Sequence, residues 1–179
     1  MRFRLMLAAL ALPFATPIEA ALAPGATAPM FTAVGAVAGN PVSVDLKAAL
    51  KKGPVVLYFF PAAYTAGCNA EAHAFAEAIP DFIRSGATVI GMTAGNVDQL
   101  QRFSSEHCAG KFTVAAATPA IIKGYDVALT KPDGTATSIT TRTSYVIAPS
   151  GKIVFQHTDM NPADHIRLTL AAVRRLQGR

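Results

Sequence analysis

Residues 55–68 read VVLYFFPAAYTAGC, an apolar run that passes through a proline-containing turn to a cysteine. The run Val55–Phe60 has the length and the β-branched and aromatic content of a buried strand. The stretch that follows, NAEAHAFAEAI, is rich in alanine and places apolar residues at helical spacing. We therefore predict a strand over 55–60 and a helix over 68–83, with Cys68 at the junction between them.

The position of Cys68 favours a reactive thiol. The thiolate is the nucleophilic form of cysteine, and the positive end of a helix dipole stabilises it. A thiol with a pKa of about 8.5 is only about 3% ionised at pH 7, whereas one with a pKa of about 6 is about 90% ionised. Cys68 is thus the candidate nucleophile. The alternative, an inert cysteine buried in the core, stays open at this point.

The remaining patterns predict an α/β domain. Short alternating segments between 30 and 44 indicate an N-terminal hairpin. The elements predicted after it are a short helix capped by Asp45 and reaching Leu50, a strand over 87–93, a helix over 97–106, strands over 144–147 and 152–156 joined by the turn APSG, and a last helix over 162–177 capped by Asn161. This order, βαβ, helix and ββα, is that of the thioredoxin fold, here with an N-terminal hairpin extension. Residues 117–140 show no clear pattern, and Pro80 is expected to kink the helix that contains it.

Composition limits the domain count and the partners. At 179 residues and 51% apolar content, the chain is long enough for one domain with a substantial core. The formal charge is +5, but lysine and arginine are scattered, with no run longer than two. A nucleic-acid partner is therefore disfavoured, because such a partner requires a basic stripe.

The N-terminus has the pattern of a signal peptide. Arg2 and Arg4 form a basic segment, the apolar run from Leu5 to Ala15 follows, and small residues allow cleavage after Ala20. The apolar run is shorter than the roughly 20 residues that span a bilayer, so no stable membrane insertion is expected. We predict a signal peptide over 1–20 and a domain over 21–179. The expected location is outside the cytoplasm, in the periplasm of a Gram-negative host, where disulfides form.

The residues around Cys68 resemble the active-site signature of a known family. At the strand-to-helix junction, thioredoxin-like redox proteins carry C-x-x-C, but residues 65–68 here read TAGC. Pro61, Thr65 and Cys68 instead form the pattern P-x-x-x-T-x-x-C, and residues 141–147 read TRTSYVI. In these motifs the chain resembles the peroxiredoxins, in particular the bacterioferritin-comigratory (Q-type) branch of the alkyl hydroperoxide reductase and thiol-specific antioxidant family, over residues 25–155.

The resemblance implies a role for each matching residue. Cys68 would be the peroxidatic thiol, Thr65 would hold the peroxide through its hydroxyl, and Pro61 would shield the site from water. Arg142 would favour the thiolate and stabilise charge on the leaving oxygen, a role suited to a fixed cation. Glu71 would support Arg142 or the helix N-terminus. From the residues alone, Arg142 could also be a solvated charge at a strand end.

The chain departs from the branch at two positions near the cysteine. His73 occupies the position where many Q-type members carry a resolving cysteine, and Ala66 stands where proline commonly follows the threonine. The second cysteine is Cys108, 40 residues after Cys68. Some members resolve from the corresponding helix, so Cys108 is the candidate resolving residue, although it could also be merely buried.

The resemblance implies a thiol peroxidase that reduces hydrogen peroxide and small organic hydroperoxides. A thioredoxin-like dithiol protein would return it to the reduced state. The protein is expected to be a monomer or a weak homodimer. Two other hypotheses are a thiol–disulfide oxidoreductase of the same fold and a non-enzymatic module for redox or metal sensing. No metal or other cofactor is predicted, because the sequence has no metal-ligand spacing and no dinucleotide or phosphate-loop pattern. The four histidines are expected at the surface: His73, His107, His157 and His165.

Overall fold

A seven-stranded mixed sheet forms the centre of the computed structural model, which describes residues 21–178. The strands in chain order are β1 (Thr32–Val37), β2 (Asn40–Asp45), β3 (Val55–Phe59), β4 (Thr88–Thr93), β5 (Thr113–Ala116), β6 (Ala128–Thr130), β7 (Ala136–Thr140), β8 (Thr143–Ile147) and β9 (Ile153–Thr158). Across the large sheet they lie in the order β2-β1-β5-β4-β3-β8-β9, while β6 and β7 pair with each other. The predicted signal peptide lies outside the described residues.

Between residues 21 and 178, five α-helices accompany the strands. They are α1 (Leu46–Leu50), α2 (Ala66–Arg84), α3 (Leu100–Glu106), α4 (Pro119–Tyr125) and α5 (His165–Gln177), with short 3-10 turns at Val97–Gln99 and Pro162–Asp164. Within residues 21–178, none of the helices combines the length and the apolar composition that crossing a bilayer requires.

Strand β3 separates two apolar cores. Side chains alternate between the two faces of a strand, so Val55, Leu57 and Phe59 join one cluster and Val56, Tyr58 and Phe60 the other. Helices α1 and α4 pack on the first cluster, whereas α2, α3 and α5 pack on the second. The second cluster contains both cysteines.

The register of β3 with its neighbours determines where the site forms. β3 runs parallel to β4, with Phe59 opposite Met92, and antiparallel to β8, with Phe59 opposite Thr143. The carboxyl end of β3 therefore lies beside the start of β8. This pairing brings the chain after Phe60 next to Arg142, which is distant from it in sequence.

Most of the predicted elements are confirmed, with small shifts in their ends. Helix α2 begins at Ala66, two residues before the predicted start, and continues through Pro80. Asp45 and Asn161 cap their segments through their side chains, as expected. Three features are not predicted by the sequence patterns: β5, α4 and the β6–β7 hairpin, which lie in or beside residues 117–140. The α/β fold class with an N-terminal hairpin is confirmed.

Candidate active site

The loop between β3 and α2 is fixed by the loop that follows β4. Ala62 pairs with Gly95, and the side-chain amide of Asn96 donates to the Ala63 carbonyl at 2.8 Å. A Cβ at Gly95 would lie 2.5 Å from the Pro61 carbonyl oxygen, so only glycine allows this close approach. Thr93 donates from its hydroxyl to the same Pro61 carbonyl at 3.1 Å. The loop therefore enters α2 along one defined path.

Cys68 lies in the first turn of α2. The helix begins at Ala66, so the N–H groups of residues 66–68 have no helix carbonyl four residues earlier to accept them. These N–H groups and the helix dipole favour negative charge at this position. The Cys68 side chain is free, and the residue is only 2% exposed.

Arg142 contacts the Cys68 sulfur directly. Its Nη2 donates to Cys68 Sγ at 3.5 Å, its Nη1 donates to Glu71 Oε2, and its Nε donates to the Met160 carbonyl at 2.9 Å. Arg142 is 4% exposed, which excludes the alternative of a solvated strand-end charge. Because a buried cation interacts strongly with nearby charge, this guanidinium favours a thiolate at Cys68.

Gly67 provides room for this contact. A Cβ at Gly67 would lie 3.3 Å from Arg142 Nη2, which is closer than ordinary van der Waals contact. The backbone of Gly67 is helical, so its own conformation does not require glycine; a Cβ there would instead have to displace the Arg142 guanidinium by a few tenths of an ångström. No sequence pattern indicates this contact, because it depends on a residue far away along the chain.

Glu71 is buried against Arg142. Burial raises the pKa of Glu71 to about 8, even though Arg142 acts in the opposite direction. Its second oxygen, Oε1, has no hydrogen-bond partner among the described residues. A carboxyl group that keeps its proton near neutral pH leaves the charge of Arg142 available to the sulfur. Of the two supporting roles predicted for Glu71, the structure places it on Arg142.

His165 is buried, so the expectation that it lies at the surface is wrong. The residue is 0% exposed, and its ring nitrogens pair with Ser144 Oγ at 2.8 Å and with the Asp159 carbonyl at 2.9 Å. His165 Nδ1 is also 3.9 Å from Glu71 Oε1. Its spacing from Thr169 and Val173, both buried on the same helix face, is the sequence signal that could have revealed this burial.

Thr65 and Pro61 lie at the entrance to the helix. Thr65 occupies the N-cap position of α2, but its hydroxyl donates to the Ala62 carbonyl at 3.1 Å and accepts from no helix N–H. Thr65 is exposed and Pro61 is half-buried. Within residues 21–178, neither makes a hydrogen bond to Cys68 or Arg142. The structure thus brings together Cys68, Arg142 and Glu71, with Thr65 one turn away.

Cys108 lies two residues beyond the end of α3. It is free and 0% exposed, and burial raises the pKa of its thiol. In this conformation Cys108 is a poor nucleophile, because the thiol form dominates.

Tyr64 joins the loop between β3 and α2, residues 60–65 and here called the cysteine loop, to α3. Its hydroxyl donates to Glu106 Oε2 at 2.7 Å and accepts from Arg102 Nε at 2.9 Å, while its ring packs edge-on against Phe103 and His107. Tyr64 has a φ of +65°, a left-handed conformation that is uncommon for a bulky residue. Sequence reasoning did not identify this contact.

The described residues include no group of three or more histidine, cysteine, aspartate or glutamate side chains arranged to hold a metal ion. The chemistry available at the site is that of one thiol beside one buried guanidinium.

Comparison with known proteins identifies the family. The model of the AhpC/TSA family matches residues 24–156. This chain belongs to the AhpC/TSA family, as a peroxiredoxin of the bacterioferritin-comigratory (Q-type) branch. A chloroplastic peroxiredoxin Q from Sedum lineare is 27% identical over 161 residues, which are 89% of this chain and 82% of that protein. Peroxiredoxin Bcp from Xanthomonas campestris is 26% identical over 121 residues, 67% of this chain and 76% of that protein.

A solved structure supports the fold. The peroxidoxin BcpB of Mycobacterium tuberculosis superposes with a TM-score of 0.74 at 24% identity, covering 86% of this chain and 97% of that one. At this identity the likeness concerns the fold alone. As a peroxiredoxin, the chain is a thiol peroxidase.

Proposed function

We propose that the peroxiredoxin reduces hydrogen peroxide and small organic hydroperoxides by direct attack of the Cys68 thiolate on the O–O bond. A bond forms between Cys68 Sγ and one peroxide oxygen while the O–O bond breaks. The sulfur loses two electrons and becomes a sulfenic acid, and the other oxygen leaves as hydroxide or alkoxide, which takes a proton from solvent to give water or an alcohol.

The observation that carries this proposal is the 3.5 Å contact between Arg142 Nη2 and the buried Cys68 sulfur at the start of α2. During the displacement, negative charge moves from sulfur to the leaving oxygen. A fixed guanidinium and the free N–H groups of a helix start stabilise that charge without having to reorganise. We assign Thr65 to holding the peroxide, Pro61 to excluding water and Glu71 to positioning Arg142.

In the second step, we assign Cys108 to attack on the Cys68 sulfenic acid. The S–S bond forms, the S–O bond breaks, and the oxygen leaves as water with the thiol proton. A thioredoxin-like dithiol protein then reduces the disulfide and is itself oxidised. Because Cys108 is buried and its thiol pKa is raised, the attack requires prior local opening of the loop or of the segment after α3.

The direct test is peroxide consumption with thioredoxin and thioredoxin reductase as the reducing system. Wild type should turn over hydrogen peroxide in stoichiometric amounts with the reductant, and Cys68→Ser should abolish turnover, because an alcohol cannot supply the nucleophile at neutral pH. The matched variant Cys108→Ser should retain the first peroxide reaction but lose recycling by thioredoxin. Near wild-type turnover in Cys68→Ser would overturn the proposal.

We also propose that the protein is exported after removal of residues 1–20, on the basis of the basic and apolar pattern of that segment. Mass spectrometry of the protein from its native host should show an N-terminus near Ala21. A mature chain that still begins at Met1 or Arg2 would contradict export by cleavage.

A further inference from the structure

His165 is a buried polar residue close to the site that the mechanism above does not use. It is the first residue of α5 and is fully buried. Burying a polar ring costs free energy unless its nitrogens are paired. Both nitrogens are paired here, Nδ1 with Ser144 Oγ at 2.8 Å and Nε2 with the Asp159 carbonyl at 2.9 Å.

These two contacts define the form of the ring. A carbonyl oxygen can only accept, so Nε2 carries a proton and donates to Asp159. Burial lowers the pKa of His165 to about 4, so the ring is neutral at neutral pH and its Nδ1 has no proton. Nδ1 therefore accepts from the Ser144 hydroxyl. A neutral ring with one proton on Nε2 satisfies both partners.

The two partners are connected to Arg142 from opposite sides. Ser144 follows Arg142 by two residues on the strand side, in β8. Asp159 precedes Met160, whose carbonyl accepts from Arg142 Nε at 2.9 Å, and the Asp159 N–H donates to the Arg142 carbonyl at 3.2 Å. The imidazole thus bridges the strand after Arg142 and the loop that holds the guanidinium.

We propose that His165 is a positioning residue for the peroxide reaction. Its Nε2 bond to the Asp159 carbonyl holds the Met160 carbonyl against Arg142 Nε. The guanidinium is thereby oriented so that its Nη2 points at the Cys68 sulfur. The inference rests on the proposed function, since it concerns the step at Cys68. Without the Nε2 donor, the 159–160 segment can shift, and the guanidinium shifts with it. A misplacement of about 1 Å at a reacting group can cost about 10²-fold in rate.

The test measures the first reaction with hydrogen peroxide by stopped flow under single-turnover conditions. His165→Phe fills the same space without a donor and should slow the reaction by about 10- to 100-fold. His165→Gln places an amide N–H near the position of Nε2 and should return the rate to within a few-fold of wild type. In His165→Asn the shorter side chain can pair with Ser144 but not with the Asp159 carbonyl, so the reaction with peroxide should remain slow.

An Arg142→Ala background separates positioning from a general loss of structure. If His165 acts through Arg142, adding His165→Phe to Arg142→Ala should cause no further loss of rate. Folded His165→Phe reacting at the wild-type rate, or an equal loss with and without Arg142, would overturn the inference. If His165→Phe does not fold, equal rates for the glutamine and asparagine variants would overturn it. Wild type that fails to react with peroxide would instead refute the proposed function.

Discussion

Arg142 is the point where three separate parts of the chain meet. Its guanidinium contacts Cys68 and Glu71 in α2 and the Met160 carbonyl after β9. Only the planar fork of arginine can donate in these several directions from one buried position. The charge is useful at the sulfur because the other two contacts fix its orientation.

Replacing Arg142 with alanine should slow the reaction of Cys68 with peroxide by about 10²–10³-fold, the usual cost of losing one preorganised charge donor. Arg142→Lys should recover only part of the rate, because an ammonium lacks the fork. Stopped-flow kinetics with hydrogen peroxide measures both. Glu71→Gln, which keeps a neutral partner for the guanidinium, is the control for a change beside Arg142 that leaves its charge in place, and a wild-type rate in Arg142→Ala would show that the assigned role is wrong.

Glu71 gives the stability of the protein a distinctive pH dependence. Its pKa rises from 4.5 to about 8 on folding, so its contribution is fully present below pH 4.5 and is lost as the pH rises to about 8. The pKa of His165 falls from 6.5 to about 4, so its contribution is lost as the pH falls from 6.5 to 4. Between pH 4.5 and 6.5 the two residues change the free energy of unfolding in opposite directions as the pH rises. Above pH 6.5, of these two residues, only Glu71 still changes it.

From pH 6.5 to 8, Glu71 should lower the free energy of unfolding by about 2 kcal/mol. Urea unfolding at several pH values in this window measures the decline. Glu71→Gln should remove it, whereas Glu77→Gln, on an exposed residue of the same helix, should retain it. The same pH slope in wild type and Glu71→Gln would mean that Glu71 is already ionised in the folded protein at pH 6.5.

The contact between the cysteine loop and α3 bears on the proposed disulfide between Cys68 and Cys108. Tyr64 holds the loop through hydrogen bonds to Arg102 and Glu106, two residues of α3. Cys108 follows the same helix. Opening of the cysteine loop must therefore break the Tyr64 contact or carry α3 with it, whereas opening of the segment after Glu106 need not.

Tyr64→Ala should favour the disulfide over irreversible oxidation of Cys68. Losing a hydrogen bond of this kind is worth about 0.5–1.5 kcal/mol, or about two- to twelve-fold in the ratio of disulfide to sulfinic acid. Mass spectrometry after graded peroxide treatment gives this ratio. Tyr64→Phe keeps the ring contacts with Phe103 and His107 and should fall between wild type and the alanine variant. An unchanged or lower ratio in Tyr64→Ala would contradict a restraining role for the contact.

Elements with strong local patterns could be predicted from the sequence, and long-range contacts could not. The run Val55–Phe60 and the alanine-rich α2 carry their own periodicity. β5 is a four-residue strand with no such pattern, and its place between β1 and β4 depends on pairing with distant segments. The site residues that match the motif could be predicted because the resemblance to a known family assigns each of them a role. The burial of His165 is hard to predict from its residue type, because histidine is polar and its pairing with Ser144, 21 residues earlier, and with Asp159, six residues earlier, forms only in the fold.

The central sheet separates the two cysteines from the other apolar cluster of the core. Both cysteines lie in the cluster on the side of α2, α3 and α5, and none lies in the cluster that packs on α1 and α4. Movement of Cys68 or Cys108 therefore disturbs one layer. The second layer can keep the sheet ordered while the first opens.

Oxidation to a Cys68–Cys108 disulfide should raise amide hydrogen exchange in the first turn of α2 and around the end of α3, and leave exchange in β3 and β8 unchanged. The reason is geometric: the sulfurs lie on different elements, and a disulfide requires Cα atoms within about 7 Å. Closing a loop of 40 residues restricts the unfolded chain by about 4 kcal/mol, which offsets packing lost in the native state. Hydrogen-exchange mass spectrometry of reduced and peroxide-treated protein, with a peptide map of the cross-link, tests this.

Cys108→Ser is the control and should show no such change after the same treatment. A cross-link between Cys68 residues of two molecules, or a persistent sulfenic acid with Cys108 free, would show instead that the enzyme uses one cysteine.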